Sequence, residues 1–289
     1  MMNDGRQADI HLRVMMPDDL PDCQELKQRI GWNQRLDDWR RFHALNPCGC
    51  FVAVHTTQIV GTVCTVAYQK CGWVAMVIVD PDYRRMGIGR LLLLKGIEHL
   101  EQRGLTVKLD ATPQGKMLYD TLGFQDEYTG ARYECGAAQQ SGNCKAECQQ
   151  VSKNDLDEIT AFDREIFGDE RRAVLASYLK SFPQYAFWIK EQNQMVGYLL
   201  AREGENAFHI GPWIALNEEA ARSLFIHCIK KRAPERTFVD IISPNLGSEA
   251  IVRELGFTQQ RPFIRMYRGK NSTPGKPQYI YGMSGPELG

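Results

Sequence analysis

The chain has 289 residues, a length that suits about two domains, with 43% hydrophobic and 24% charged residues, ordinary for packed cores. Its 35 basic and 35 acidic residues cancel, which removes any chain-wide basic footprint for nucleic acid or an anionic membrane surface. No apolar run approaches the roughly 20 residues of a membrane span, and the opening "MMNDGRQADIHLRVMM" lacks the apolar core of a secretory signal. The expectation is a cytoplasmic protein without nucleic-acid or membrane partners, present as a monomer or homodimer. Nine cysteines, an odd number, run from Cys23 to Cys228, and without an export signal they read as reduced thiols. Cys48-Gly-Cys50 is too tight for a zinc knuckle, and Cys135, Cys144 and Cys148 lack a His or a CxxC spacing, so no metal is expected.

In chain order, two helices flank the turn of "RIGWNQRLDDW", and two strands around "FVAV" and Val60-Gly61 follow, joined by a short turn. The strand "WVAMVIV" ends at Asp80-Pro81, and Arg84, Arg85, Met86, Gly87, Ile88, Gly89 and Arg90 lead into a helix with Leu91, Leu94, Ile97 and Leu100 on one face and a stop at Gly104. The strand "VKLDA", a helix at "MLYDTLGF" and a closing strand complete the unit. The stretch 136–150, rich in Gly, Gln, Ser and Cys, reads as a linker.

The same order then repeats. Asp19-Leu20 matches Asp155-Leu156 and "FVAV" at Phe51 matches "FWIK" at Phe187, both 136 residues on, while "LGF" at Leu122 recurs at Leu255 with an offset of 133. The chain therefore divides into residues 1–135, the linker 136–150, and residues 151–289, two α/β units of one plan. The second unit lacks the arginines and glycines of the loop and opens the matching helix with Glu218-Glu219, which suit a helix dipole but repel phosphate. The first unit is expected to carry the chemistry. A tail with Tyr279-Ile280-Tyr281 forms a short strand of unassigned partner.

Gly87-Ile88-Gly89 opens a helix after a strand, a place where unsatisfied amides and the dipole hold phosphate. Gly89 is followed by Arg90-Leu91, so a Walker loop fails, and position 92 is Leu, so a dinucleotide fingerprint is incomplete. Arg84-Arg85-Met86-Gly87-Ile88-Gly89 does satisfy the (Arg/Gln)-x-x-Gly-x-(Gly/Ala) pattern of a coenzyme A pyrophosphate arm.

With "VDPDYRRMGIGRLLL" and "GKMLYDTLGF", residues 10–135 resemble the GNAT superfamily of acyl-CoA-dependent N-acyltransferases, and 150–270 resemble a degenerate second copy. The resemblance implies two tandem GNAT-like domains, each with a mixed, mostly antiparallel sheet flanked by helices, and acetyl-CoA as co-substrate. It implies that Val77 and Val79 offer main-chain groups to pantetheine, that residues 84–90 take the pyrophosphate, and that Tyr119 protonates the departing thiolate. Thr112 stands where the family often has Asn. Asp110 is the first candidate for the general base and His55 the second. Trp32 and Asn33, with Asp163 and Phe167 at the matching place in the second unit, are candidates to bind the acceptor, and "FDREIFGDERR" or the tail is expected to close the site. The expected activity is transfer of an acetyl group to a primary amine of a small molecule. Acetylation of a protein or peptide, or a non-catalytic CoA-binding sensor, are the alternatives.

Overall fold

The computed structural model describes residues 9–136, 145–232, 235–271 and 273–289; Cys144 and most of the expected linker lie outside them. The first half runs β1 (Ile10–Val14), α1 (Leu20–Arg29), α2 (Leu36–Leu45), β2 (Cys50–His55), β3 (Gln58–Ala67), β4 (Cys71–Val79), α3 (Ile88–Glu101), β5 (Thr106–Ala111), α4 (Pro113–Thr121) and β6 (Gln125–Cys135). The second half repeats it as β7 (Gln149–Gln150), α5 (Leu156–Phe167), α6 (Arg172–Ser181), β8 (Ala186–Glu191), β9 (Gln194–Arg202), β10 (Phe208–Ala215), α7 (Glu218–Lys230), β11 (Thr237–Ile242), α8 (Leu246–Glu254) and β12 (Thr258–Arg268), followed by β13 (Ile280–Gly282). The edge strands β1 and β7 go beyond the sequence reading; each pairs with the strand that follows α2 or α6 in its half.

Among the described residues all thirteen strands form one sheet in the order β1-β2-β3-β4-β5-β12-β6-β11-β10-β9-β8-β7, with β13 branching from β10. The halves meet by exchange. β12 lies between β5 and β6, and β6 lies between β12 and β11, all antiparallel. Each half thus supplies its closing strand to the other's sheet, and no boundary near residue 136 separates two self-contained sheets. Helices α1, α2, α5 and α6 share one core with strands of both halves, through Trp39, Phe42, Ile159 and Leu175 among others. Helices α3 and α7 each cover a separate core on the other face.

Helix α3 sits differently from the sequence reading. Leu91 is 45% exposed, and the buried face is Leu92, Leu93, Gly96, Ile97 and Leu100. Gly96 sets this rotation: a Cβ there would stand 3.1–3.4 Å from Val63, Thr65 and Val74, so the helix lies close on the sheet.

Two local features of β4 open the sheet. Met76 adopts a positive φ of 53°, and the β3–β4 register slips between Thr62 and Cys64, a bulge that turns the strand. β4 and β5 then pair in parallel for only three residues, from Cys71 with Thr106 to Trp73 with Lys108. Beyond Trp73 the two strands part.

Candidate active site

The parting of β4 and β5 makes one side of a cleft of about 490 Å³, lined there by Val74, Ala75, Met76, Val77, Leu109 and Asp110. Parallel pairing would have used the outward main-chain groups of β4 past Trp73. Freed from it, they face the cleft as an unpaired strand edge, able to hydrogen-bond an extended amide-bearing chain. Val79 lies two residues beyond Val77 and, like it, is half-buried.

Helix α3 starts at the far end of β4. Its N-cap is Gly87, with φ 78° and no side chain to satisfy the first turn. Arg85 also has a positive φ, of 65°. Met86 and Ile88 are buried and anchor the loop, while Arg84, Arg85 and Arg90 are exposed and have no acidic partner within hydrogen-bond or ion-pair distance among the described residues. The turn below is held separately: Asp80 is buried, accepts from the Asp82 amide at 3.0 Å and pairs with Arg29. Uncapped amides, a helix dipole and three free cations form a cradle that fits the pyrophosphate of coenzyme A.

Tyr119, on α4, lines the cleft opposite β4. Its ring meets Phe124 edge-on at 5.9 Å, and burial raises its hydroxyl above the ordinary tyrosine value. The group is therefore a neutral O–H donor across the neutral range. Thr112 lines the same cleft and spends its hydroxyl as the N-cap of α4, accepting from the Gly115 amide at 3.2 Å. A threonine thus does the capping that positions Tyr119.

Comparison with known proteins points to one family. Residues 14–124 match the model of the acetyltransferase (GNAT) family and residues 159–282 that of an acetyltransferase (GNAT) domain. The chain belongs to the GNAT acetyltransferases. It is a tandem GNAT protein and an acyl-CoA-dependent acetyltransferase. It is 26% identical to holothin acyltransferase of Pseudoalteromonas sp. (strain SANK 73390) over 261 residues, which cover 89% of this chain and 87% of that one. It is also 26% identical to the N-acetyltransferase YitH of Bacillus subtilis, of uncharacterised role, over 75% of this chain and 76% of that one. The fold matches a solved Pyrococcus horikoshii chain, assigned provisionally as an acetyltransferase, with a TM-score of 0.81 at 23% identity, covering 97% of this chain and 96% of that one.

Within this GNAT cleft, Asp110 is not a free carboxylate. Its side chain is fully buried and receives both Nε and Nη2 of Arg265 from β12, at 2.8 and 2.9 Å. Burial lifts its carboxyl above the ordinary value against the pull of Arg265. The equivalent Asp240 on β11 is held the same way by Arg132 of β6, at 2.8 and 2.7 Å. Both aspartates grip an arginine on the other half's exchanged strand, so the repeat and the geometry give Asp110 a locking role. His55 lies outside the cleft lining, with Nδ1 2.9 Å from the Tyr83 hydroxyl.

Trp32 and Asn33 both line the cleft, at the α1–α2 turn. Asn33 is also a clamp between halves: its side-chain oxygen accepts from the Asn206 and Ala207 amides, both at 2.9 Å, and its nitrogen donates to the Ala207 carbonyl at 3.0 Å. Asp163 and Phe167 lie elsewhere. Asp163 is buried in a two-point pair with Arg171, at 2.9 and 2.8 Å, and Phe167 packs under that guanidinium, 4.1 Å from its ring centre. Their expected acceptor role gives way to packing, because the segment that matches the Trp32 turn is filled by this pair. Asp169 likewise serves structure, accepting from the Lys70 and Cys71 amides.

The wall facing Tyr119 comes from residues that the sequence reading had not singled out. The tail provides Pro286 and Glu287, β12 of the second half provides Gln260 and Arg261, and the exchanged strand β6 of the first half provides Arg132. Glu287 is buried; Oε1 accepts from Arg202 at 2.8 Å, and Oε2 has no partner among the described residues. Gln34, 7% exposed, lines the cleft with Oε1 unpartnered. Of the two closing segments considered, the tail closes the site and "FDREIFGDERR" does not. The described residues contain no cluster of three or more His, Cys, Asp or Glu suited to a metal, and no helix long and apolar enough to cross a membrane. Their eight cysteines are free thiols.

Proposed function

We propose that this protein transfers an acetyl group from acetyl-CoA to a primary amine of a small molecule, by direct attack within a ternary complex. The observation that carries the reading is the joint cleft: the freed edge of β4, the uncapped α3 N-terminus and Tyr119 belong to the first half, and the second half walls the space in front of them. A walled space of about 490 Å³ suits a small acceptor better than a protein chain.

In this reading, main-chain groups of Val77 and Val79 pair with the pantetheine arm, and Arg84, Arg85 and Arg90 with the amides of Gly87 to Gly89 hold the pyrophosphate. The neutral amine attacks the thioester carbonyl carbon, a C–N bond forms, and the C–S bond breaks. The Tyr119 hydroxyl gives its proton to the departing sulfur. The proton that the amine nitrogen sheds passes to Glu287, whose Oε2 is the uncommitted carboxylate oxygen in the cleft. Asp110 has both oxygens on Arg265 and keeps the sheet together beneath the site.

The test is Tyr119→Phe assayed by thiol release over a panel of amines and peptides. The expected result is a fall in kcat of about 10²–10⁴-fold with the affinity for acetyl-CoA retained. Unchanged turnover removes Tyr119 as the acid. Turnover confined to peptides replaces the small amine by a protein acceptor.

A further inference from the structure

The charges around the cleft leave one cation over. Asp110 pairs with Arg265, Asp240 with Arg132, and Glu287 and Asp38 with Arg202 and Arg41. Arg261, also in the lining, has no hydrogen bond or ion pair among the described residues. The acids within its field are Asp240, Glu287 and Asp110, each already engaged by another guanidinium.

Its position is also unfavourable for structure alone. Arg261 on β12 stands directly across from Arg132 on β6, and like charges facing across a ladder destabilise it. Burial and Arg132 together push its guanidinium below the ordinary arginine value. The internal repeat shows that the fold does not require a cation there. Arg132 matches Arg265 with an offset of 133, and the same offset sets Arg261 against Tyr128. In the first half Tyr128 quiets the neighbouring arginine, its hydroxyl accepting from Arg265 Nη1 at 2.9 Å. The second half replaces that acceptor with a second positive charge, at the one such position that lines the cleft.

We infer that Arg261 receives a carboxylate of the acceptor, so that the acceptor is an amine carrying one negative charge, of the amino-acid type, and not a neutral amine or a polyamine. The inference rests on the small-amine reading above and narrows it. One uncompensated guanidinium matches one negative charge, and its planar fork matches a carboxylate. Gln34 and Glu287, acceptors on the same cleft, are left for the amine.

The experiment offers the full-length protein with acetyl-CoA a set of amines in matched pairs: lysine and cadaverine, glycine and glycinamide, phenylalanine and phenethylamine, with phosphoethanolamine and ethanolamine as a phosphate arm. The expected result is at least a tenfold preference in kcat/KM for the carboxylate member of a pair. Arg261→Gln abolishes that preference through KM, and Arg261→Lys keeps part of it. A preference for the neutral member, or one that survives in Arg261→Gln, overturns the inference and leaves the small-amine reading standing. Preference for phosphoethanolamine alone overturns the carboxylate assignment. If acetyl-CoA binds and no amine of any pair is acetylated, the small-amine reading fails first, and this inference with it.

Discussion

The strand pairs β4–β5 and β10–β11 each hold a parallel register for three residues and then part, and among the described residues a further strand enters the gap in only one of them. In the second half β13 inserts there: Trp213 and Ile214 of β10 pair with Gly282 and Ile280, Tyr281 stacks on Trp213 at 5.1 Å, and the Met283 amide donates to the Asp240 carbonyl at 2.9 Å. The helix beyond differs to match. Asn217 caps α7 by accepting from the Ala220 amide, and Glu218 and Glu219 fill its first turn, whereas α3 begins at a bare glycine between arginines. One opening is thus a strand edge left for a ligand, and the other is the same edge satisfied by strand addition. The pair shows that the sheet splays in both halves, and that the end of the following helix and the course of the tail set the two openings apart.

The largest effect should fall on both halves equally. Asp110→Ala and Asp240→Ala each leave a buried guanidinium unpaired, at an expected cost of about 3–5 kcal/mol. Because both pairs cross the exchanged strands, denaturant melts followed by fluorescence and by circular dichroism should coincide in either variant. Two separate transitions would mean that the halves are independent. A smaller effect should separate the halves. Gly87→Glu places a carboxylate and a Cβ at a left-handed N-cap, and calorimetry should show acetyl-CoA affinity falling by about 100-fold or more, roughly 2.7 kcal/mol. The unmodified chain should bind one acetyl-CoA; a second site would show that β13 does not close the other opening.

The smallest effect is one of pH. His209 is buried with Nε2 3.0 Å from Asp240, at the place that Trp73 takes in the first half, and burial lowers its pKa. A histidine held below its unfolded value favours folding fully above about pH 6.5 and loses that contribution as the pH falls through its folded value. Urea midpoints measured from pH 8 to 5 should therefore decline on the acid side, and His209→Gln should flatten the decline. An identical slope in the variant would assign the loss to other groups.

Local chemistry was the legible part. The loop from Arg84 to Arg90, the break at Asp80-Pro81 and the placement of Tyr119 on a short helix all depend on residues near one another in the chain, and they fold as their types dictate. The orientation of α3 was harder because the run Leu91 to Leu94 is apolar all round, and only Gly96 marks the face that approaches the sheet. The exchange of β6 and β12 left no local trace, since two strands of one repeat carry similar patterns and either could pair with β5. Asp163 and Phe167 match the Trp32 turn only by analogy between the halves, and the analogy fails where Arg171 fills the space. Glu287 and Arg261 reach the cleft from 168 and 142 residues beyond Tyr119. For Arg261 a signal did exist in the repeat, at the single position where a tyrosine becomes an arginine.

The exchanged strands also set a schedule for synthesis. When β6 ends at Cys135, β5 still has no neighbour on its outer side, because that neighbour is β12, complete only at Arg268. A ribosome adding roughly 5–20 residues per second needs roughly 7–27 s to supply it. For that interval the half with the Arg84–Arg90 loop carries an open sheet edge, and it gains its finished shape only after the half without that loop has been made.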